Sequence, residues 1–146
     1  MTDILPFLQS RRSIRRYRPD PVPQELIEQM LTAAAWAPSA HNRQPWRFAV
    51  IAEKAAKHNL ATALGRKLRA DLAADGLSPQ LIAHDADRSY QRITSAPLLN
   101  LQSLSMAEMD SYPEDLRQQK EWLMAVQSTA LAGQNLLLAA HALGLG

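Results

Sequence analysis

Two short stretches carry the residue types that could do chemistry. Arg11-Arg12-Ser13-Ile14-Arg15-Arg16 sets four guanidinium groups and a hydroxyl within six positions. A planar guanidinium fork meets phosphate oxygens two at a time, and a nearby serine adds another donor, so this stretch is suited to a phosphate monoester. A solvated basic turn or an RNA-contacting patch would have the same composition. The second stretch is Ala37-Pro38-Ser39-Ala40-His41-Asn42-Arg43-Gln44-Pro45-Trp46, where two prolines stiffen a loop rich in side-chain amides. Asn42 and Gln44 each offer a donor pair and an acceptor, which complements the alternating N–H and C=O edge of a heteroaromatic ring. The plain alternative is a helix-to-strand connection with Trp46 as its core anchor.

Little else in the chain competes with these two stretches. There is no cysteine, so disulfides, thiolate metal sites and thiol nucleophiles are excluded. His58, His84 and His141 lack metal-ligand spacing, and no metal site is expected. His41 reads as a structural hydrogen-bonding group of the loop, and no side chain stands out as a catalytic acid, base or nucleophile. The formal net charge of +2 does not argue for nucleic acid. The concentration of Arg11, Arg12, Arg15, Arg16 and Arg18 does call for an anionic partner or solvent. The start MTDILPFLQS has no basic region followed by an apolar one of signal-peptide length, so a cytoplasmic protein is expected.

The elements that must position these stretches follow from periodicity. Ile4 to Gln9 reads as a short helix delivering the arginines, and Tyr17 to Pro21 as a turn. Pro23 opens an amphipathic helix with Leu26, Ile27, Met30, Leu31, Ala34 and Ala35 on one face, stopped by Pro38. Trp46 to Ala52 reads as a buried strand. From Glu53 to Ala74 a surface helix puts Leu60, Ala63, Leu64, Leu68 and Leu72 inward and its basic residues outward, with Asp75-Gly76 as exit. Ser78-Pro79 opens a further helix that ends at Ala96-Pro97, and Leu98 to Leu104 is a second strand alternating Leu99 and Leu101 with Asn100 and Gln102.

The last helix, about Glu114 to Leu143, is apolar around most of its circumference. Gln127, Ser128, Gln134, Asn135 and His141 interrupt it, which argues for a buried soluble helix and against a membrane span. A chain of 146 residues rarely covers such a helix alone, so sharing with another subunit is expected. With 47% hydrophobic residues and no linker or repeat, residues 1–146 read as one domain of α+β or three-layer α/β/α class. Two strands alone make a marginal sheet, so its completion must come from elsewhere.

Taken together, R-R-S-I-R at residues 11–15 and P-S-x-x-N-x-Q-P-W at residues 38–46 resemble the FMN-dependent nitroreductase family. The resemblance extends to Pro21-Val22-Pro23 with Glu25-Leu26-Ile27, to Ala96-Pro97-Leu98-Leu99, and to Gly133 through Gly146. It covers essentially the whole chain in order, and His41 with Arg43 looks closest to the branch related to the flavin domain of deazaflavin-coenzyme biosynthesis proteins.

The resemblance implies an α+β homodimer with flavin at the interface and the central helix shared between subunits. Arg11, Arg12, Ser13 and Arg15 would bind the FMN phosphate and ribityl end, while Ser39, Asn42 and Gln44 would approach the ring. The implied activity is ping-pong reduction of a small organic acceptor, a nitroaromatic, quinone or related compound, with NAD(P)H as reductant and the cofactor carrying the chemistry. The alternative is a flavin- or deazaflavin-binding module without turnover. Members of the family usually continue past the A-L-G-L-G exit, so the chain is expected to be C-terminally incomplete relative to them. Asn100 and Gln102 also depart from the family's apolar strand, and buried amides there would need partners.

Overall fold

The computed structural model describes residues 3–146. In chain order the elements are α1 (Ile4–Ser10), α2 (Gln24–Ala35), a 3-10 turn (Ala40–Asn42), β1 (Trp46–Ile51), α3 (Lys54–Ala74), α4 (Pro79–Ser95), β2 (Leu99–Leu104) and α5 (Asp115–Ala142). The class is α+β, mostly helical, with one small antiparallel sheet of β1 and β2. The ladder ends with Ser105 N–H donating to Pro45 O at 2.7 Å.

Contacts gather the chain into two compact units. One comprises Met1–Ser13, Val22–Ala49 and Leu101–Gly146, the other Ile14–Pro21 and Val50–Asn100.

In the first unit α2 packs on α5. Helix α2 buries Ile27, Met30 and Ala34 at three- and four-residue spacing, as its periodicity predicts, although Ala35 is exposed. The Asn135 amide on α5 donates to Ala33 O at 3.1 Å, fixing the helix pair in register. Helix α5 buries Glu121, Ala125, Ser128, Ala132 and Ala140, a seam of mostly small residues that lets a neighbouring backbone come close. The expectation of a buried helix holds for that seam alone. Trp122, Leu131 and Leu137 are 53%, 47% and 50% exposed, because one chain covers only part of so apolar a circumference. By length and composition α5 would suffice to cross a membrane, and 17% of its most apolar window is buried. It ends on Gly144 at φ 72°, with Leu145 N–H on Ala140 O and Gly144 N–H on His141 O, a left-handed glycine cap.

The second unit is built on α3 against α4. Helix α4 opens as predicted, with the Ser78 hydroxyl accepting from Leu81 N–H and Pro79 in the first turn. The predicted inward face of α3 is rotated. Ala61 and Gly65 are buried, with Ala86 of α4 at 0% exposure, while Leu64 is 48% exposed. Small residues one turn apart bring the helices near, and the leucines flank the contact instead of forming it. Lys57 is also buried, against the expectation that the basic residues of α3 face outward. Its ammonium donates to Ala96 O at 2.5 Å and Pro97 O at 3.3 Å, satisfying carbonyls where α4 ends.

The strands correct two further expectations. Strand β1 is half-buried, with Trp46 and Phe48 inward and Arg47 and Ala49 exposed. In β2 the alternation places Asn100 and Gln102 on the more covered face and Leu101 outward at 46% exposure. The Gln102 amide finds its partner in Thr129 O of α5 at 2.6 Å. Both amide atoms of Asn100, and the Thr129 hydroxyl, are buried without a hydrogen-bond partner among the described residues.

Candidate cofactor-binding loops

The arginine stretch leaves α1 as irregular backbone. Asp3 caps α1 by accepting from Leu5 N–H, and the helix gives way at Arg11, whose φ of −60° and ψ of 133° are extended. The end of α1 is held to the end of α5: Ser10 Oγ lies 2.7 Å from His141 Nε2, and the Phe7 and His141 rings are 5.1 Å apart. Because the Ser10 hydroxyl donates to Phe7 O at 2.8 Å, it accepts from the imidazole N–H. Residues 11–13 therefore emerge from an anchored point. Arg12 turns back on its own backbone, donating to Gln9 O at 2.5 Å and Arg11 O at 2.9 Å. Arg11, Arg15 and Arg16 make no ion pair among the described residues, whereas Arg18 pairs with Asp20 at 2.8 Å. Ser13 is exposed. Arg11, Arg12 and Ser13 belong to the same compact unit as the amide loop, and Arg15 to the other.

The amide loop has an unusual backbone. His41, Asn42 and Gln44 have φ of 48°, 54° and 47°, so three of four consecutive residues are left-handed without a glycine among them. Such conformations cost on the order of 1–3 kcal/mol each and persist only where the surroundings over-determine them. Histidine and asparagine tolerate this region better than most residues, so Gln44 is the costliest of the three.

The surroundings are visible in detail. Asn42 N–H donates to Ser39 O and Arg43 N–H to Ala40 O, both at 3.0 Å. The Ser39 hydroxyl accepts from Gln44 N–H at 3.1 Å. Ala40 N–H donates to the Ser128 hydroxyl at 3.2 Å, and that hydroxyl donates to Met124 O at 2.7 Å, tying the loop to the buried seam of α5. Pro45 is fully buried, and Trp46 packs in a cluster with Ala37, Ala132 and Phe48. Trp46 is thus a core anchor next to a loop of unusual backbone.

Ion pairs complete the frame. Arg43 donates to Asp110 at 2.5 Å, His41 Nδ1 lies 3.5 Å from the other Asp110 oxygen, and Arg47 donates to Glu108 at 2.5 Å. Asp110 N–H in turn donates to the buried Glu121 of α5 at 3.2 Å. The Asn42 and Gln44 side chains are exposed and make no hydrogen bond among the described residues. The loop spends its backbone and its charged side chains on holding itself, and leaves its amides outward.

The structure thus brings Ser39, His41, Asn42 and Gln44 into one braced unit. It gives no hydrogen bond between that unit and residues 11–13. Sequence reasoning missed Asp110, Glu121 and Ser128. Their only signal was polarity at helical spacing, Glu121 and Ser128 seven apart on an otherwise apolar helix. Asp110 gave none, since the loop residue it pairs with most closely, Arg43, is 67 positions away.

The chain is thus a mostly helical α+β fold that carries a braced amide loop and an irregular arginine segment. The profile of the Nitroreductase family matches residues 8–146, and the chain belongs to that family. A Methanothermobacter thermautotrophicus protein, provisionally named an NADH dehydrogenase/NAD(P)H nitroreductase, is 30% identical over 144 residues, covering 99% of this chain and 58% of its own length. An NADH dehydrogenase of Thermus thermophilus is 57% identical over 53 residues, 36% of this chain and 26% of that protein. Among solved structures, a provisionally named nitroreductase from Desulfovibrio desulfuricans in complex with FMN superposes with a TM-score of 0.63 at 29% identity, covering 98% of this chain and 64% of that one. The chain spans under two thirds of the length of each of these three proteins.

Proposed function

We propose that this chain is the FMN-binding part of an NAD(P)H-dependent oxidoreductase, with residues 1–146 forming one nitroreductase-like domain that works as a homodimer. Arg11, Arg12, Ser13 and Arg15 hold the phosphate and ribityl end of FMN, and Ser39, Asn42 and Gln44 face the ring. The observation that carries this reading is the amide loop: it holds three left-handed residues at an energetic cost, and its Asn42 and Gln44 amides have no hydrogen-bond partner among the described residues. The donor set fits the group, since Arg11 and Arg15 have no carboxylate partner among the described residues and the two amides match a flavin's pyrimidine edge.

When bound, FMN supplies a two-electron carrier between NAD(P)H and a small organic acceptor such as a nitroaromatic or quinone. The chain's own part is to bind and orient: guanidiniums neutralise the phosphate, and amide N–H groups offer donors toward the ring's carbonyl edge. No side chain is assigned to proton transfer. The homodimer is supported by the exposed apolar surface of α5, which a second copy would cover.

Titration of purified protein with FMN, followed by flavin fluorescence, tests the reading. Micromolar or tighter binding is expected, with about a tenfold loss or more for Arg11→Ala and for Asn42→Ala. Binding no tighter than millimolar would remove the proposal. Flavin binding without NAD(P)H oxidation would leave a binding module without turnover.

A further inference from the structure

Asp110 stands outside both motifs, yet three structural facts converge on it. Its carboxylate bridges two side chains of the amide loop, Arg43 at 2.5 Å and His41 at 3.5 Å. Its backbone N–H is held by Glu121, which is buried on α5. The loop it bridges contains His41, Asn42 and Gln44, all left-handed. Arg43 lies between Asn42 and Gln44, so a pull on its side chain acts at the centre of the strained run. The neighbouring Arg47 to Glu108 pair joins the same two segments. Hydrogen bonds within residues 39–44 close the turn on itself, whereas the Asp110 bridge, like the Ala40 N–H bond to Ser128, fixes it to a separate segment.

We propose that Asp110 is a positioning residue for the flavin site: it locks residues 41–44, with His41, Asn42 and Gln44 left-handed about a right-handed Arg43, so that the Asn42 and Gln44 amides are held outward before ligand arrives. Glu121 sets the position of Asp110, and Asp110 sets the loop. Pre-ordering of this kind raises affinity by removing the entropy lost when a loose loop must be ordered on binding. The role rests on the flavin reading for its consequence, though not for the bridge itself.

The test uses the full chain and reads two quantities. The first is amide hydrogen exchange at Asn42, Arg43 and Gln44 without FMN, three N–H groups that are hydrogen-bonded within the ordered loop. The second is FMN affinity, with the visible circular dichroism of the bound flavin as a signature of ring orientation. Asp110→Ala is expected to speed exchange at all three amides by about tenfold or more and to weaken FMN binding by a similar factor. Asp110→Asn keeps an acceptor for Arg43 and should recover much of both. Arg43→Gln removes the bridge from the other side, and should reproduce the Ala variant if that one does not fold. Asp87→Ala, which breaks the Arg69 pair between α3 and α4, should leave both readouts at wild-type values.

Unchanged exchange at residues 42–44 in both Asp110→Ala and Arg43→Gln overturns the proposal. Faster exchange with unchanged FMN affinity and flavin dichroism overturns it too, because the bridge would then be structural only. If the wild-type chain binds no FMN, the flavin reading fails by itself, and the exchange measurement still decides whether Asp110 holds the loop.

Discussion

Gln102 of β2 occupies the space that a side chain at Gly133 of α5 would need. A Cβ on Gly133 would lie 2.6 Å from Gln102 Oε1, while Gln102 Nε2 donates to Thr129 O at 2.6 Å. A mid-helix glycine normally costs about 1 kcal/mol against alanine. Here it makes room for a strand amide to reach a helix carbonyl, so β2 and α5 are joined by a polar contact where an apolar one would be expected.

The contact predicts coupling. Gly133→Ala gains about 1 kcal/mol of helix propensity, but pushes Gln102 off Thr129 O and forfeits a hydrogen bond of similar worth, so the single variant should be close to neutral. Gln102→Ala alone should cost about 1 kcal/mol. In the Gln102→Ala background the same glycine change should stabilise by about 1 kcal/mol, because nothing is displaced. Urea denaturation of the four proteins measures the cycle, and additive effects would show that the two residues do not compete for that space.

Lys57 supports a second prediction about stability. Its ammonium is buried on two carbonyls at the end of α4, and no carboxylate among the described residues pairs with it. Lys57→Met keeps the stem and removes the donor, leaving Ala96 O and Pro97 O without it, at a cost of about 2 kcal/mol. A lower midpoint in chemical denaturation is the expected result. A variant as stable as wild type would mean that those carbonyls find water readily.

The third prediction concerns the exposed side of α5. Leu131 and Leu137 are about half exposed in the single chain, where a charge would cost the isolated fold little. In a dimer each would be buried at roughly 1.5–3 kcal/mol, so Leu131→Glu or Leu137→Glu should weaken self-association by about tenfold to a hundredfold. Sedimentation velocity reads this directly. Variants that sediment like wild type would exclude this face of α5 as the dimer contact.

How much of this was legible beforehand depended on whether the cause was local. Of the predicted face Leu26, Ile27, Met30, Leu31, Ala34 and Ala35, the structure buries Ile27, Met30 and Ala34 of α2, and Asp75-Gly76 and Gly144 gave helix exits that it repeats at φ 80° and 72°. Helix α3 was misjudged because hydrophobic periodicity weights Leu64, whereas its contact with α4 is made by Ala61 and Gly65, whose value lies in being small. The motif around Asn42 and Gln44 was visible from its prolines and amides. Its left-handed backbone was not, since no glycine announces it, and the constraint comes from Ser128 and Asp110, far away in sequence.

That hidden constraint gives the last prediction, in which stability and binding move apart. Gln44 sits at φ 47° with no glycine's freedom and little of asparagine's tolerance, so its backbone is the most strained in the loop. Gln44→Gly removes the side-chain clash, which relieves about 1–2 kcal/mol, and gives back up to about 1 kcal/mol through the greater entropy of the unfolded chain. The variant should therefore be as stable as wild type or up to about 2 kcal/mol more so. It also lacks the amide assigned to the ring, and FMN affinity should fall by about tenfold. A glycine variant that is clearly less stable would show that the Gln44 side chain contributes to the fold, and one that binds FMN like wild type would remove Gln44 from the site.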